Sequence, residues 1–148
     1  MPAGRRKERV FLDANVLFSA AYMQDSALRR LWRLKGVELL SSSYAVEEAR
    51  RNLREDRPEA LVRLDELVKS MNLVEEAQDQ DLPESVGIDP KDKPILLAAI
   101  RGGSGLLLTG DKQHFGHLYG KIVKGVSIGR PADYLLSRQR KRRSPRSR

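Results

Sequence analysis

Four acidic residues, Asp13, Glu48, Asp92 and Asp111, stand at places in the chain where their carboxylates could act together. Asp13 closes the apolar run Val10-Phe11-Leu12. Asp111 follows Leu106-Leu107-Leu108-Thr109 with only Gly110 between. Carboxylates brought within a few ångströms of one another repel, and some must protonate unless a cation joins them. Mg²⁺ and Mn²⁺ are the natural cations, being hard ions that prefer carboxylate oxygen and water. A bound ion of this kind makes a nucleophile of water and stabilises charge on a phosphate and its leaving oxygen. No serine or cysteine nucleophile is needed, and the chain has no cysteine. Each acid also has a purely structural use. Asp13 suits a helix N-cap, Asp92 the positive end of a helix dipole, Thr109-Gly110-Asp111-Lys112 an ordinary turn, and Glu48 an exposed helix face.

The acids act together only if the elements bring them to one place. Arg9 to Leu12 reads as a buried strand, and residues 14–22 continue apolar with a polar break at Asn15, a turn into a helix. Asp25 or Ser26 caps a helix over 27–35 that faces Leu28, Leu31 and Trp32 inward, and Gly36 ends it. Val37 to Leu40 is a second strand. The serines at 41–43 cap the next helix, with Val46, Ala49 and Leu53 along one side. Pro58 suits a first helical turn, and Leu61, Leu64, Leu67, Val68 and Met71 keep helical spacing. Leu73-Val74 is a weak third strand, and the acidic stretch 75–90, with Pro83, Gly87 and Pro90, is a loop. Lys91 to Arg101 is a helix with an apolar middle, stopped by Gly102 and Gly103. Leu106 to Thr109 is a fourth strand, Val126 to Ile128 a fifth, and Pro131 to Ser137 a closing helix.

Helices alternating with short apolar strands predict an α/β fold with a mostly parallel central sheet of about five strands flanked by helices. In such folds ligands gather beyond the carboxyl ends of the strands. Asp13 and Asp111 lie at that edge. Glu48, in the first turns of the helix after strand two, and Asp92, opening the Lys91–Arg101 helix, are carried to the same edge by right-handed crossovers.

The formal charge is +8. Residues 138–148 hold seven basic groups and no acid, and residues 1–9 hold a net +3, which leaves residues 10–137 at −2. The positive charge therefore sits at the ends, where Arg140, Lys141, Arg142 and Arg143 can bind nucleic acid through counterion release or serve as a solvated tail. Charged and polar residues interrupt every apolar run well short of about 18 residues, so no membrane span is expected, and the expected place is the cytoplasm. With 40% hydrophobic residues the chain can bury a core without disulfides.

The segments that carry the acids resemble the motifs of PIN-domain ribonucleases. Val10-Phe11-Leu12-Asp13-Ala14-Asn15-Val16-Leu17 is similar to the opening motif, in which the aspartate is catalytic and the asparagine helps order the site. Ser43 to Leu53 resembles the second motif, with Glu48 favoured by register and Glu47 as the fallback. Asp89-Pro90-Lys91-Asp92-Lys93-Pro94 and the apolar residues after it resemble the third. Leu106 to Asp111 resembles the fourth, with Thr109 in support. The likeness covers residues 9 to about 136 and rests on the order and spacing of all four motifs. Together with the charge pattern it divides the chain into a basic arm over 1–8, a PIN-like nuclease domain over 9–137 and a disordered basic tail over 138–148. It also implies a Mg²⁺ or Mn²⁺ site and endonucleolytic cleavage of single-stranded RNA. Many small stand-alone members are toxins of toxin–antitoxin pairs, often homodimers, so the resemblance further implies a homodimer and an antitoxin partner. Pro94, early in a helix, and the basic tail depart from the family pattern.

Other residues fit blander roles. His114 and His117 lack a third histidine or a cysteine to complete a metal site and read as surface or edge histidines. Lys112 reads as solvated. Arg50 and Arg51 face either substrate or a neighbouring acid, and Trp32 packs in the core or at a dimer face. Eight aromatics are too few for base stacking to dominate RNA binding, and the glycines near 102–105 do not form a G-x-x-x-x-G-K-[ST] loop. Two rival functions remain. An aspartyl-phosphate phosphatase would want an acid where Asn15 stands. A catalytically idle RNA- or protein-binding module would act through the basic termini.

Overall fold

A computed structural model describes residues 7–75, 82 and 86–143. Most of the acidic loop, the first six residues and residues 144–148 lie outside the described residues, so the expectations for them stand outside it too.

Among the described residues, six strands form one sheet in the order β3-β2-β1-β4-β6-β5. They are β1 (Glu8–Leu12), β2 (Val37–Ser42), β3 (Asn72–Val74), β4 (Leu106–Leu108), β5 (Ile122–Val123) and β6 (Val126–Gly129). Every pairing is parallel except β5 with β6. The two-residue β5 is the strand that the sequence pattern did not reveal. It pairs with β6 across a turn in which Lys124 and Gly125 both take positive φ, which is a local rather than a periodic signal.

β1 lies central, registered through Phe11 to both Leu40 and Leu107. Val10, Phe11 and Leu12 are wholly buried, as a parallel strand covered on both faces requires. Helices α1 (Ala14–Tyr22), α2 (Ser43–Asp56) and α3 (Leu61–Lys69) pack on one another, while α4 (Lys93–Arg101) packs on β2, β3 and β4. On α2 the buried residues Ala45, Val46, Ala49 and Leu53 form one helical stripe. Ser42 rather than Ser43 caps it, its Oγ accepting from the Ala45 amide at 3.1 Å. The segment read as a helix over 27–35 is a 3-10 helix, Ala27–Arg33. It is tied down by the Trp32 indole, which donates to the Leu67 carbonyl at 2.9 Å.

Two short helical pieces follow β4, the first being α5 (Lys112–Phe115). The closing helix α6 (Pro131–Arg143) runs six residues beyond Ser137, into the segment 138–148 read as a tail. Arg138 holds it there by donating to the Lys35 carbonyl at 2.8 Å and pairing with Glu8 at 3.3 Å. Its remaining Arg, Lys and Gln residues are good helix formers.

Candidate active site

Asp13, Asp111 and the start of α2 all follow strands that run the same way, so they share one edge of the sheet. Asp13 is 5% exposed. Its Oδ1 accepts from the Ala14 amide at 2.6 Å, which makes it the N-cap of α1. Its Oδ2 accepts from the Thr109 hydroxyl at 2.8 Å and the Asn15 amide at 3.1 Å. The helix cap and the sheet-edge position of this carboxylate therefore coexist.

Thr109 and Asn15 knit the ends of β1 and β4 together. The Thr109 hydroxyl, wholly buried, accepts from the Asp111 amide at 3.1 Å and lies 3.2 Å from the Asn15 amide nitrogen. Asn15 Oδ1 accepts from the Gly110 amide at 2.7 Å. A β-carbon on Gly110 would stand 3.3 Å from that oxygen, tighter than ordinary contact, so the backbone must pass close here.

Burial lifts the Asp13 carboxyl to about 6, opposed by the Thr109 and Ala14 hydrogen bonds and reinforced by the charges of Glu48 and Asp92. Burial, with the charges of Asp111 and Asp89, also raises Asp92, opposed by His114 and Lys91. Glu48, Asp92 and Asp13 all raise the half-buried Tyr44 as well, after the larger effect of burial. The Tyr44 hydroxyl donates to the Lys91 carbonyl at 3.0 Å, tying α2 to the turn that carries Asp92.

Of the two glutamates, Glu48 is the one whose charge reaches Asp13. Glu47 is exposed and pairs with Arg50 at 3.4 Å. Arg50 also pairs with Asp65 at 2.8 Å, so it faces neighbouring acids. A cleft of about 480 Å³ opens beside the site, lined by Asn15, Phe18, Glu48, Asn52, Glu55 and Asp56.

His114 is the residue that the sequence reading set aside wrongly. Its Nδ1 lies 2.6 Å from Asp111 Oδ2 and 3.5 Å from Asp92 Oδ2, so it stands between two of the acids rather than at a bland edge. The hydrogen bond to Asp111 raises its pKa, helped by the charges of Asp111 and Asp92. The signal was present in the spacing: Asp111 caps α5 by accepting from the His114 amide at 3.1 Å. An N-cap that bonds the third helical residue brings that residue's side chain alongside. His117 bonds instead to the Val86 carbonyl at 2.9 Å.

The donor set fits a hard divalent cation. Asp92 Oδ2 is buried without a hydrogen-bond partner, since 3.5 Å to His114 is too long for one. Asp92 heads α4 without using its carboxylate as a cap. Ligand atoms of Asp89, Asp92 and His114 lie within 4.8 Å of one another. A cation among these groups would offset the burial, and the smaller repulsion from neighbouring acids, that raise Asp13 and Asp92.

The sequence profile of the PIN domain matches residues 9–113. The chain belongs to the PIN-domain family. Members of that family are generally nucleases, and the acids just described lie within the matched region. Among solved structures, a chain of the VapBC2 complex from Rickettsia felis, bound to a DNA fragment from their promoter, has a similar fold. The TM-score is 0.64 at 15% identity, covering 82% of this PIN domain's chain and 98% of that one. Comparison with curated proteins gives no match. Among the described residues, no helix is long and apolar enough to cross a membrane.

Proposed function

We propose that this PIN domain is a Mg²⁺- or Mn²⁺-dependent endoribonuclease acting on single-stranded RNA, and that it is the toxin of a toxin–antitoxin pair. The observation that carries the enzymatic reading is Asp13: a carboxylate buried at the strand edge, lifted to about 6 by burial, with two further acids raising it. A site built this way is strained as an apo site and suited to a cation. Asp13, Glu48, Asp92 and Asp111 would hold the ion. When bound, it would supply an activated water and charge stabilisation at the phosphate.

The chain's own groups do the positioning. Thr109, Asn15 and the Ala14 amide fix both oxygens of Asp13. His114 fixes Asp111. Tyr44 fixes the turn carrying Asp92. Hydrolysis forms a bond from water oxygen to phosphorus as the bond to the leaving ribose oxygen breaks. The proton from the water is taken up by a site carboxylate, and raised carboxylates accept it most readily near neutral pH.

The toxin assignment and its antitoxin partner draw on the likeness to the VapBC2 chain, and the homodimer on the sequence resemblance alone. Cleavage of single-stranded RNA should require Mg²⁺ or Mn²⁺, stop with EDTA and stop in Asp13→Asn. Undiminished cleavage by folded Asp13→Asn would sink the assignment. Folded protein that cuts no RNA under any of these conditions would favour the idle binding module acting through the basic termini.

A further inference from the structure

The acids and a basic cluster without acid partners occupy opposite ends of the domain. The acids follow the carboxyl ends of β1 and β4. The 3-10 helix Ala27–Arg33 connects α1 to the start of β2 and so lies at the other edge. Helix α6 leaves β6 near the acidic edge and runs down to Arg138, which meets Glu8 at the first residue of β1 and Lys35 just before β2. Along β1 alone the two edges are about 16 Å apart at roughly 3.3 Å per residue.

Two clefts line this far edge and meet at Arg33. One, of about 300 Å³, includes Arg29, Arg30 and Arg33. The other, of about 380 Å³, is lined by Arg33, Leu34, Lys35 and Arg138. Among the described residues, Asp25 is the only acid lining either. Among the described residues, no acid pairs with Arg30, Arg33, Lys35 or Arg140. Arg29 Nη1 is buried with no hydrogen-bond partner. The guanidinium groups that line these clefts are donors suited to an anionic oxygen. Helix α6 ends on Arg140, Lys141, Arg142 and Arg143, and the sequence adds Arg146 and Arg148 beyond it. The cleft beside the catalytic acids, by contrast, is lined by Glu48, Glu55 and Asp56, which repel a phosphate chain.

We propose that the far edge, from Arg29, Arg30, Arg33 and Lys35 to the basic end of α6, is a phosphate-backbone track that grips RNA away from the cut. It rests on the ribonuclease reading for the identity of its ligand. The track uses charge and guanidinium donors, so it reads the backbone without reading sequence. An acidic catalytic cleft is thereby supplied with substrate by a remote basic handle. RNA long enough to touch both edges gains affinity that a short fragment cannot.

The test is fluorescence anisotropy of single-stranded RNA in EDTA with the full chain, where binding is read without turnover. An oligomer of roughly 30 nucleotides is compared with one of roughly 6, a length near the lower end of single-strand site sizes. The variants are Arg140→Gln/Lys141→Gln/Arg142→Gln/Arg143→Gln and Arg30→Gln/Arg33→Gln, with circular dichroism to confirm folding. Lys69→Gln/Lys121→Gln serves as the control for net charge.

The wild type should bind the long oligomer at least about tenfold more tightly than the short one at low salt. The fourfold variant should lose that advantage, and its log–log salt slope should fall by roughly 0.7 per charge removed, about 3 in all. Arg30→Gln/Arg33→Gln should lose part of it, and Lys69→Gln/Lys121→Gln little. Equal binding by both far-edge variants and wild type overturns the proposal. So does an equal loss in the lysine control, which would make net charge the cause, or tighter binding to phosphatidylglycerol vesicles than to RNA, which would make the edge a membrane surface. A track that binds RNA in a protein that never cuts it would leave this inference standing and defeat the nuclease reading.

Discussion

In the metal-free protein, the Asp13 carboxyl should cost stability as it ionises. Its folded pKa of about 6 lies above its ordinary 3.8. A carboxyl raised by folding contributes stability that is fully present below pH 3.8 and lost as pH rises through about 6. At about 1.4 kcal/mol per pH unit, the full loss is on the order of 3 kcal/mol, a large share of a typical domain's stability. Asp92 and His114 are raised as well and drift in the same direction, His114 in a higher window. The measurement that isolates Asp13 is therefore a double difference: urea unfolding free energies of wild type and Asp13→Asn in chelator, at several pH values from 4 to 7.5. Asparagine leaves donors of Thr109 and Asn15 poorly matched, a penalty that is constant with pH. The stability of the asparagine variant relative to wild type should therefore rise by about 2.4 kcal/mol between pH 4 and 7.5, the rest of the effect lying below pH 4. Adding Mn²⁺ at about 100 times its dissociation constant should return roughly 2.7 kcal/mol to wild type at pH 7.5. Parallel stability curves for the two proteins would refute the claim that burial and neighbouring acids load this carboxylate.

Glu48→Gln should abolish cleavage while Glu47→Gln leaves it within about twofold, since only Glu48 carries charge to Asp13; kcat on RNA decides. Thr109→Val should cost about 1–3 kcal/mol, because the buried hydroxyl serves Asp13, Asp111 and Asn15, and denaturant melts measure it. His114→Ala should weaken Mn²⁺ binding by roughly 10- to 100-fold by calorimetry, because it frees Asp111 from its partner. Gly102→Ala should destabilise by about 1–3 kcal/mol with unchanged cleavage per folded molecule. Its β-carbon would meet Val74 Cγ2 at 2.7 Å at the edge away from the acids.

The parts of this molecule that were legible in its sequence follow strong periodic or positional signals. Val10 to Leu12 and Leu106 to Leu108 read as buried strands because a parallel strand covered on both faces must be apolar throughout. Once those strands are assigned, Asp13 and Asp111 fall at one sheet edge by chain direction alone. Glu48 over Glu47 was favoured by register, and the charge reaching Asp13 separates the two. What escaped has little periodicity to offer. The two-residue β5 exists because a positive-φ turn folds it back on β6. The Ala27–Arg33 segment is wound as 3-10 helix, which apolar spacing alone does not distinguish from α. His114 is placed by an N-cap hydrogen bond and a long-range neighbour, Asp92, that lies 22 positions earlier. The polarity of the charge pattern was visible as basic ends on an acidic middle. Its location opposite the acids depends on α6 running the length of the sheet.

The most direct test of the central claim is anomalous diffraction from crystals of this PIN domain soaked in Mn²⁺. An anomalous peak about 2 Å from carboxylate oxygens of Asp13 and its neighbours Glu48, Asp92 and Asp111 is the predicted result. Saturating Mn²⁺ with no peak among those carboxylates, in crystals of protein that still cuts RNA, would contradict it.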